Sequence, residues 1–450
     1  MRLSSTFMVL AFAFAAIPAR VDEAAAGDLK GHGGPIKAIV VSRDGGRALT
    51  ASFDYSAIYW GLDSSEPYVL HRLIGHDAAV NAVAFSHDER LAVTASDDGT
   101  VGIWDLGAGA LRHRFQGHTG KVVAVAVSPD GRWAASAAWD RTIRLWDLDA
   151  MTPGPVFSGH SGNVNAVVFA PGGDTIHSSG HDGTIRSWTI PGGEESTILR
   201  HGWGINTLRA LPGGRLLFGA LDGTVAVVDA ATGETVHAFE AYEAPVVASA
   251  VSGDAAIVAA GGANGRISIW AADRWRTVHT HDNPYGPVWA IAFAADKRSL
   301  YYAGLDDFAI NLSLDPVAAF EPAKGAYPRR FQVTEDMDLG ERMFAGRCSV
   351  CHTLTPDDAN RAGPTLYHLF GRKAGSVSGY AYSDALRRSR IIWSEETIDR
   401  LFTVGPQHYT PGTKMPLQSI TDPQERAALI AFLKSNTDEP AASGPGSSKQ

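Results

Sequence analysis

The sequence predicts a multidomain chain: an all-β array of seven repeats followed by a small all-α domain. Three observations lead there. Glycine supplies 48 of 450 residues, well above the usual ~7%, which marks many tight turns and hence many short strands. The chain matches itself at a period of about 42 residues, through about Asp315. Past that point the period stops and apolar residues recur at helical spacing. With 45% hydrophobic residues the chain has the material for packed cores and is not a disordered one. Its 2 cysteines rule out a disulfide framework. The net charge of −9 speaks against a nucleic-acid binder, whose footprint would be a basic excess.

Residues 1–26 read as an address. One early positive charge at Arg2, an apolar run from Phe7 to Ile17 and the small residues Ala24, Ala25 and Ala26 fit a secretory signal peptide cleaved after Ala26. The run is too short for a membrane span, which needs ~20 apolar residues. No later stretch is long enough either, so an exported chain without a membrane span is expected. In a Gram-negative host that places it in the periplasm.

Residues 28–315 hold the repeat. Gly-His pairs stand at Gly31-His32, Gly75-His76, Gly117-His118 and Gly159-His160. Twenty-two residues after each His comes an Asp (Asp54, Asp98, Asp140, Asp182), and six further on a Trp (Trp60, Trp104, Trp146, Trp188). The spacing persists with weaker residues: Asp222 leads to Val228, Asn264 to Trp270 and Asp307 to Ser313. Four such histidines could suggest metal or haem ligation, but one per unit at a fixed distance from a turn Asp fits a structural staple in each unit better.

This pattern resembles the WD-repeat β-propeller family, whose units of ~40–45 residues supply four strands and carry a G-H…W-D signature. The resemblance implies a seven-bladed propeller in which His, Ser or Thr, Asp and Trp share a buried hydrogen-bond network. Units one and two offer His32, Ser52, Asp54, Trp60 and His76, Ser96, Asp98, Trp104. Ala138 and Gly180 replace the Ser in units three and four, so weaker networks are expected there. A propeller suits protein-partner binding, while the fold itself assigns no chemistry.

Residues 316–333, with "EPAKGAYPRR" at Glu321–Arg330, read as a linker. The segment "TEDMDLGERMFAGR" then reads as a helix with Thr334 as its N-cap and acidic residues in the first turn. After it comes Cys348-Ser-Val-Cys351-His352, a c-type haem attachment string. Each thiol can form a thioether to a haem vinyl group, and the histidine can supply one axial nitrogen. A redox C-x-x-C would want a βαβ setting, and zinc a second ligand pair that this chain lacks. Of the 6 methionines only Met415 lies downstream, in "YTPGTKMPL", a Pro- and Gly-containing segment that could wrap a haem. A Met ligand would favour electron transfer over ligand chemistry; His368 and His408 are the rival ligands.

Residues 334–437 resemble class I cytochromes c of the mitochondrial type and their bacterial counterparts, through "GERMFAGRCSVCH", "GPTLYHLFGRKAG", "GYAYSDA", "IIWSEETI", "YTPGTKM" and "ERAALIAFLK". The resemblance implies one covalent haem c held by Cys348 and Cys351, with iron ligated by His352 and Met415. It implies that Pro364 accepts from the second nitrogen of His352, that Arg372, Tyr382 and Trp393 hold the haem propionates, and that Thr413 orders the Met loop. Gly340 and Phe344 would pack the first helix across the last, at Leu429 and Phe432. Phe402 and Leu386 stand where the family often has Tyr and Asn, removing hydrogen bonds from the crevice. From Arg330 to Thr437 there are 13 basic and 12 acidic residues, with Lys373 and Lys414 near the expected haem edge, so strong electrostatic steering is not expected. Residues 438–450 read as a disordered tail.

The expectation is therefore an exported electron carrier, not a catalyst. Its propeller would dock a protein partner, its haem a redox partner protein, and neither a nucleic acid. Two alternatives are a propeller-borne redox enzyme relaying electrons through the haem domain, and a haem-based sensor with a labile Met ligand.

Overall fold

Each repeat is built from runs of about six β-prone residues separated by Gly, Asp and Ser turns, and each folds as four antiparallel strands. The computed structural model describes residues 27–315, 337–349, 351–356, 363–378, 380, 382–411, 413, 415 and 419–437. The segments assigned from sequence to the signal peptide, linker and tail lie outside the described residues, as do Thr334 and Lys414.

Seven four-stranded sheets form the blades of a β-propeller. Blade one runs Ile36–Val41, Arg47–Ser52, Ser56–Gly61 and Tyr68–Ile74. The second strand is buried along nearly its whole length and the fourth is largely exposed, because neighbouring blades sandwich the inner strands and leave the rim in water. Small residues recur in the second strands (Ala48, Ala51, Ala92, Ala95, Ala134, Ala137), all fully buried; blades converge there and larger side chains would hold them apart. The ring closes through Leu29–Lys30, which pairs antiparallel with Phe308 and Ala309 as the outer strand of the last blade. That closure ties the N-terminal end of the ring to its C-terminal end, while each blade keeps a short outer edge.

The buried network is complete in blades one to four. In blade one Trp60 Nε1 donates to Thr50 Oγ1 (2.8 Å), Thr50 donates to His32 Nε2 (2.7 Å), and His32 Nδ1 donates to Asp54 (2.9 Å). Thr94, Ser136 and Ser178 play the part of Thr50 in the next three. This corrects the expectation from sequence: the hydroxyl lies two residues before Ser52 and Ser96. Ser52 instead donates to Gly34 O (2.9 Å) and accepts from Asp54 N (3.1 Å). Ala138 and Gly180 therefore leave the Trp–hydroxyl–His–Asp chain of blades three and four intact and forgo only the two bonds that Ser52 makes.

In blade five His201 Nε2 meets Asp222 (3.0 Å), a histidine hidden from the sequence reading because His201-Gly202 reverses the usual pair. In blade six Tyr242 donates to Ala260 O (2.9 Å). In blade seven Leu300 pairs with Leu312, as Ala48 pairs with Trp60 in blade one. The equivalents of Asp54 and Trp60 are thus Asp306 and Leu312, one residue before the pair read from sequence.

The C-terminal part contains α1 (Leu339–Arg347), α2 (Asp384–Arg387), α3 (Glu395–Val404), α4 (Pro406–Tyr409) and α5 (Pro423–Asn436). The α1 cap is Asp338, whose side chain accepts from Glu341 N (2.8 Å). α3 is amphipathic, with a Ser394–Thr397 capping box and Ile398, Leu401 and Phe402 buried on one face. α1 crosses α5 at Gly340, where a Cβ would collide with Ala428 O and approach Phe432 Cβ to 2.7 Å. Phe344 and Phe432 pack with centroids 5.6 Å apart, and Leu429 is fully buried in the same core. No helix among the described residues is long and apolar enough to cross a membrane.

Candidate functional site

The C-terminal end of α1 sets up the site. Cys348 N donates to Phe344 O (2.8 Å), while Cys351 N and His352 N both donate to Cys348 O (3.0 and 2.9 Å). This winding turn presents Cys348, Cys351 and His352 to one cavity. The same cavity is lined by Pro364, Arg372, Tyr382, Trp393, Thr413 and Met415, so every site residue expected from sequence is on its wall. Its remaining lining is mostly apolar, with Leu366, Leu369, Ile398, Leu401 and Phe402 from the core of the C-terminal part. Leu386 also lines it. His368 and His408 do not line it; the His368 ring packs on Tyr367, with centroids 4.0 Å apart. Lys373 is exposed.

His352 Nδ1 donates to Pro364 O (2.7 Å), which leaves Nε2 as a lone-pair donor. Burial holds this imidazole below its ordinary pKa, against the raising effect of that carbonyl. The neutral ring is the form that ligates a metal. Burial pushes the Cys348 thiol up to about 12 and the Cys351 thiol up to about 11. In the same lining, Met415 N donates to Thr413 Oγ1 (3.1 Å) and Thr413 N to Thr410 O (3.0 Å). Thr410 in turn donates to Pro406 O (2.8 Å), so the methionine loop hangs from α4.

The guanidinium of Arg372 donates to Tyr367 O (2.6 Å) and Thr365 O (2.7 Å), which leaves its other donors for a carboxylate. Arg372 O accepts from Trp393 N (2.9 Å), and Tyr382 packs edge-on against Tyr380, centroids 4.7 Å apart. Burial raises the Tyr382 phenol above its usual range.

These residues fit a haem. The wall is apolar, two thiols and a neutral imidazole sit on one turn, and a thioether stands in the same cavity. Among the described residues no three His, Cys, Asp or Glu side chains converge as metal donors. The glycine before Pro364 is part of the fit, because a Cβ on Gly363 would collide with the His352 ring. Sequence reading missed Gly363, Tyr380 and Tyr55 as lining residues. Tyr55 comes from propeller blade one.

Comparison with known proteins agrees with both parts. The family model for cytochrome c matches residues 337–437, and that for the WD domain, G-beta repeat, matches residues 67–105, 109–147 and 151–189. Each of those three matches starts near the outer strand of one blade and ends with the third strand of the next, so successive sequence repeats interlock the blades. Among curated proteins, cytochrome c from Arabidopsis thaliana is 42% identical over 102 residues, covering 23% of this chain and 90% of its own length. Cytochrome c from Cochliobolus lunatus is 42% identical over 102 residues, with 23% and 94% covered. The Ginkgo biloba protein is 36% identical over 104 residues, with 23% and 91% covered.

Proposed function

The chain belongs to the cytochrome c family through residues 337–437, joined to a seven-bladed propeller of WD type, and we propose that it is an exported single-electron carrier whose propeller docks a protein partner. The observation that carries the reading is the placement of Cys348, Cys351, His352 and Met415 around one apolar cavity. One haem c, bound there, supplies a one-electron iron couple.

Cys348 and Cys351 would anchor it through thioethers, and His352 and Met415 would hold its iron. Pro364 O orients His352 and keeps its lone pair on Nε2. Thr413 holds the methionine segment through its bond with Met415 N. Arg372, Tyr382 and Trp393 would receive the propionates, with donors of Arg372 left over from its two carbonyl bonds. The apolar lining from Leu366 to Phe402 excludes water, which raises the potential. With His352 and Met415 both on the iron there would be no position left for substrate, which favours a carrier over a catalyst.

Exposed apolar residues support a partner on the propeller. Trp139 and Leu221 are 42% and 36% exposed, and they stand in the turns that carry Asp140 and Asp222. Trp203, 61% exposed, precedes the inner strand of blade five. Export rests on residues 1–26.

The test is mass spectrometry of protein matured in a host that attaches haem c in the periplasm. The mass should equal residues 27–450 plus one haem, and Cys348→Ala with Cys351→Ala should remove the haem. A mature chain that keeps residue 1, or carries no covalent haem, contradicts the proposal.

A further inference from the structure

In blades one to six the turn between the second and third strands holds the network Asp, or Asn264 in its place, and the residue after it takes a left-handed backbone. In blades two, four, five and six that residue is a glycine: Gly99, Gly183, Gly223 and Gly265, at φ of 81°, 70°, 90° and 90°. Glycine is the residue that adopts this conformation without strain. Blade one has Tyr55 there instead, at φ of 69°. A bulky aromatic residue held in this region is a strained choice, and such strain persists where the side chain serves a purpose.

The purpose is visible in where the ring goes. Tyr55 lines the cavity that holds Cys348, Cys351 and His352, beside Tyr380. Cys348 is 5% exposed whereas Cys351 is half-buried, and Tyr55 is the lining residue that the propeller supplies. The environment of the ring agrees: burial, then the nearby Cys351 and Asp97, push its phenol up to about 12, and the Tyr380 phenol feels both Tyr55 and Cys351.

We propose that Tyr55 is the propeller's contribution to the haem site, a ring that closes the cavity on the Cys351 side so that the propeller, and not water, covers that edge of the haem. Tyr55 is a positioning and shielding residue. It makes the propeller part of the wall of the haem site. The inference rests on the haem reading above.

The backbone conformation supplies an unusually clean variant. Tyr55→Gly removes the ring while relaxing the turn, so blade one should fold at least as well as before. In the full-length, haem-loaded protein three forms are compared: Tyr55→Gly, Tyr55→Phe, and Arg141→Gly, which relaxes the equivalent turn of blade three, also at φ of 69°. The readouts are the midpoint potential and the rate of reduction by ascorbate, taken on samples with the wild-type far-ultraviolet circular dichroism. Tyr55→Gly should lower the potential, because water at the haem stabilises the oxidised charge, and should raise the reduction rate several-fold. Tyr55→Phe and Arg141→Gly should match the wild type. Unchanged potential and rate in Tyr55→Gly overturn the proposal, as does the same shift in Arg141→Gly or in Tyr55→Phe, which would place the effect in any turn change or in the hydroxyl. Failure of the underlying haem reading would show separately, as absence of covalent haem from the unaltered protein.

Discussion

His352 and Pro364 are joined by a 2.7 Å hydrogen bond from imidazole Nδ1 to the prolyl carbonyl. It sets the tautomer, directs Nε2 away from the backbone, and depends on the residue before the proline having no side chain. A Cβ on Gly363 would lie 2.7 Å from that same Nδ1, so the ring and the methyl group cannot share the space.

Gly363→Ala should therefore turn the imidazole off Pro364 O while leaving both thiols in place. The expected outcome is a protein that still carries covalent haem by mass but shows a mixed-spin spectrum, with axial ligation weakened. A purely low-spin spectrum in that variant would mean the ring has another way to reach the iron.

Gly340 is the contact point of α1 with α5, and its neighbours there include the Ala428 carbonyl, part of a helix backbone that cannot swing aside. Gly340→Ala should force the two helices apart and destabilise the C-terminal part by about 1–3 kcal/mol, the usual range for overpacking. Urea unfolding followed by the haem absorbance would measure it.

Ser136 accepts from Trp146 and donates to His118, all three buried. Ser136→Ala leaves an indole N–H and an imidazole nitrogen unsatisfied, so a loss of about 2 kcal/mol is expected. Ala138→Ser, the change that sequence reasoning alone would choose to strengthen blade three, should alter stability little. Thermal melts of the two variants side by side distinguish these outcomes.

His177 is 7% exposed and its Nδ1 has no hydrogen-bond partner. Burial pushes its pKa down to about 4, below the ~6.5 of an unfolded histidine. The unfolded chain therefore takes up this proton first as the pH falls. The stability that the neutral ring allows is complete above ~6.5 and is lost progressively down to the folded value. His177→Leu should remove that loss: relative to wild type it should gain about 2 kcal/mol between pH 8 and pH 5. Urea titrations at the two pH values check it, and parallel pH profiles for the two proteins would contradict it.

Much of this was legible in the sequence because spacing carries it. Four His-Asp-Trp rulers announce blades, and Cys348 to His352 with a downstream Met415 announces residues that line one cavity. The misreadings came where neighbours in sequence compete for one structural role. Ser52 sits beside Asp54 and looks like its hydroxyl partner, yet it is Thr50 that reaches His32 and Trp60. Asp306 and Asp307 are adjacent, and only strand register chooses between them. Closure of the ring by Leu29–Lys30 and the reach of Tyr55 to Cys351 join residues far apart in the chain, and no local pattern encodes them. The signal for Tyr55 was present all the same, as a tyrosine in a turn where four other blades place glycine.

The central claim is that His352 and Met415 both hold the iron. The direct test is the absorption spectrum of the haem-loaded protein, oxidised and reduced, with and without carbon monoxide, next to Met415→Ala. Low-spin spectra that carbon monoxide leaves unchanged are expected in the wild type, and a prompt shift on adding it to reduced Met415→Ala. A prompt shift in the wild type would mean that Met415 is not a lasting ligand, and the carrier reading would give way to a ligand-binding one.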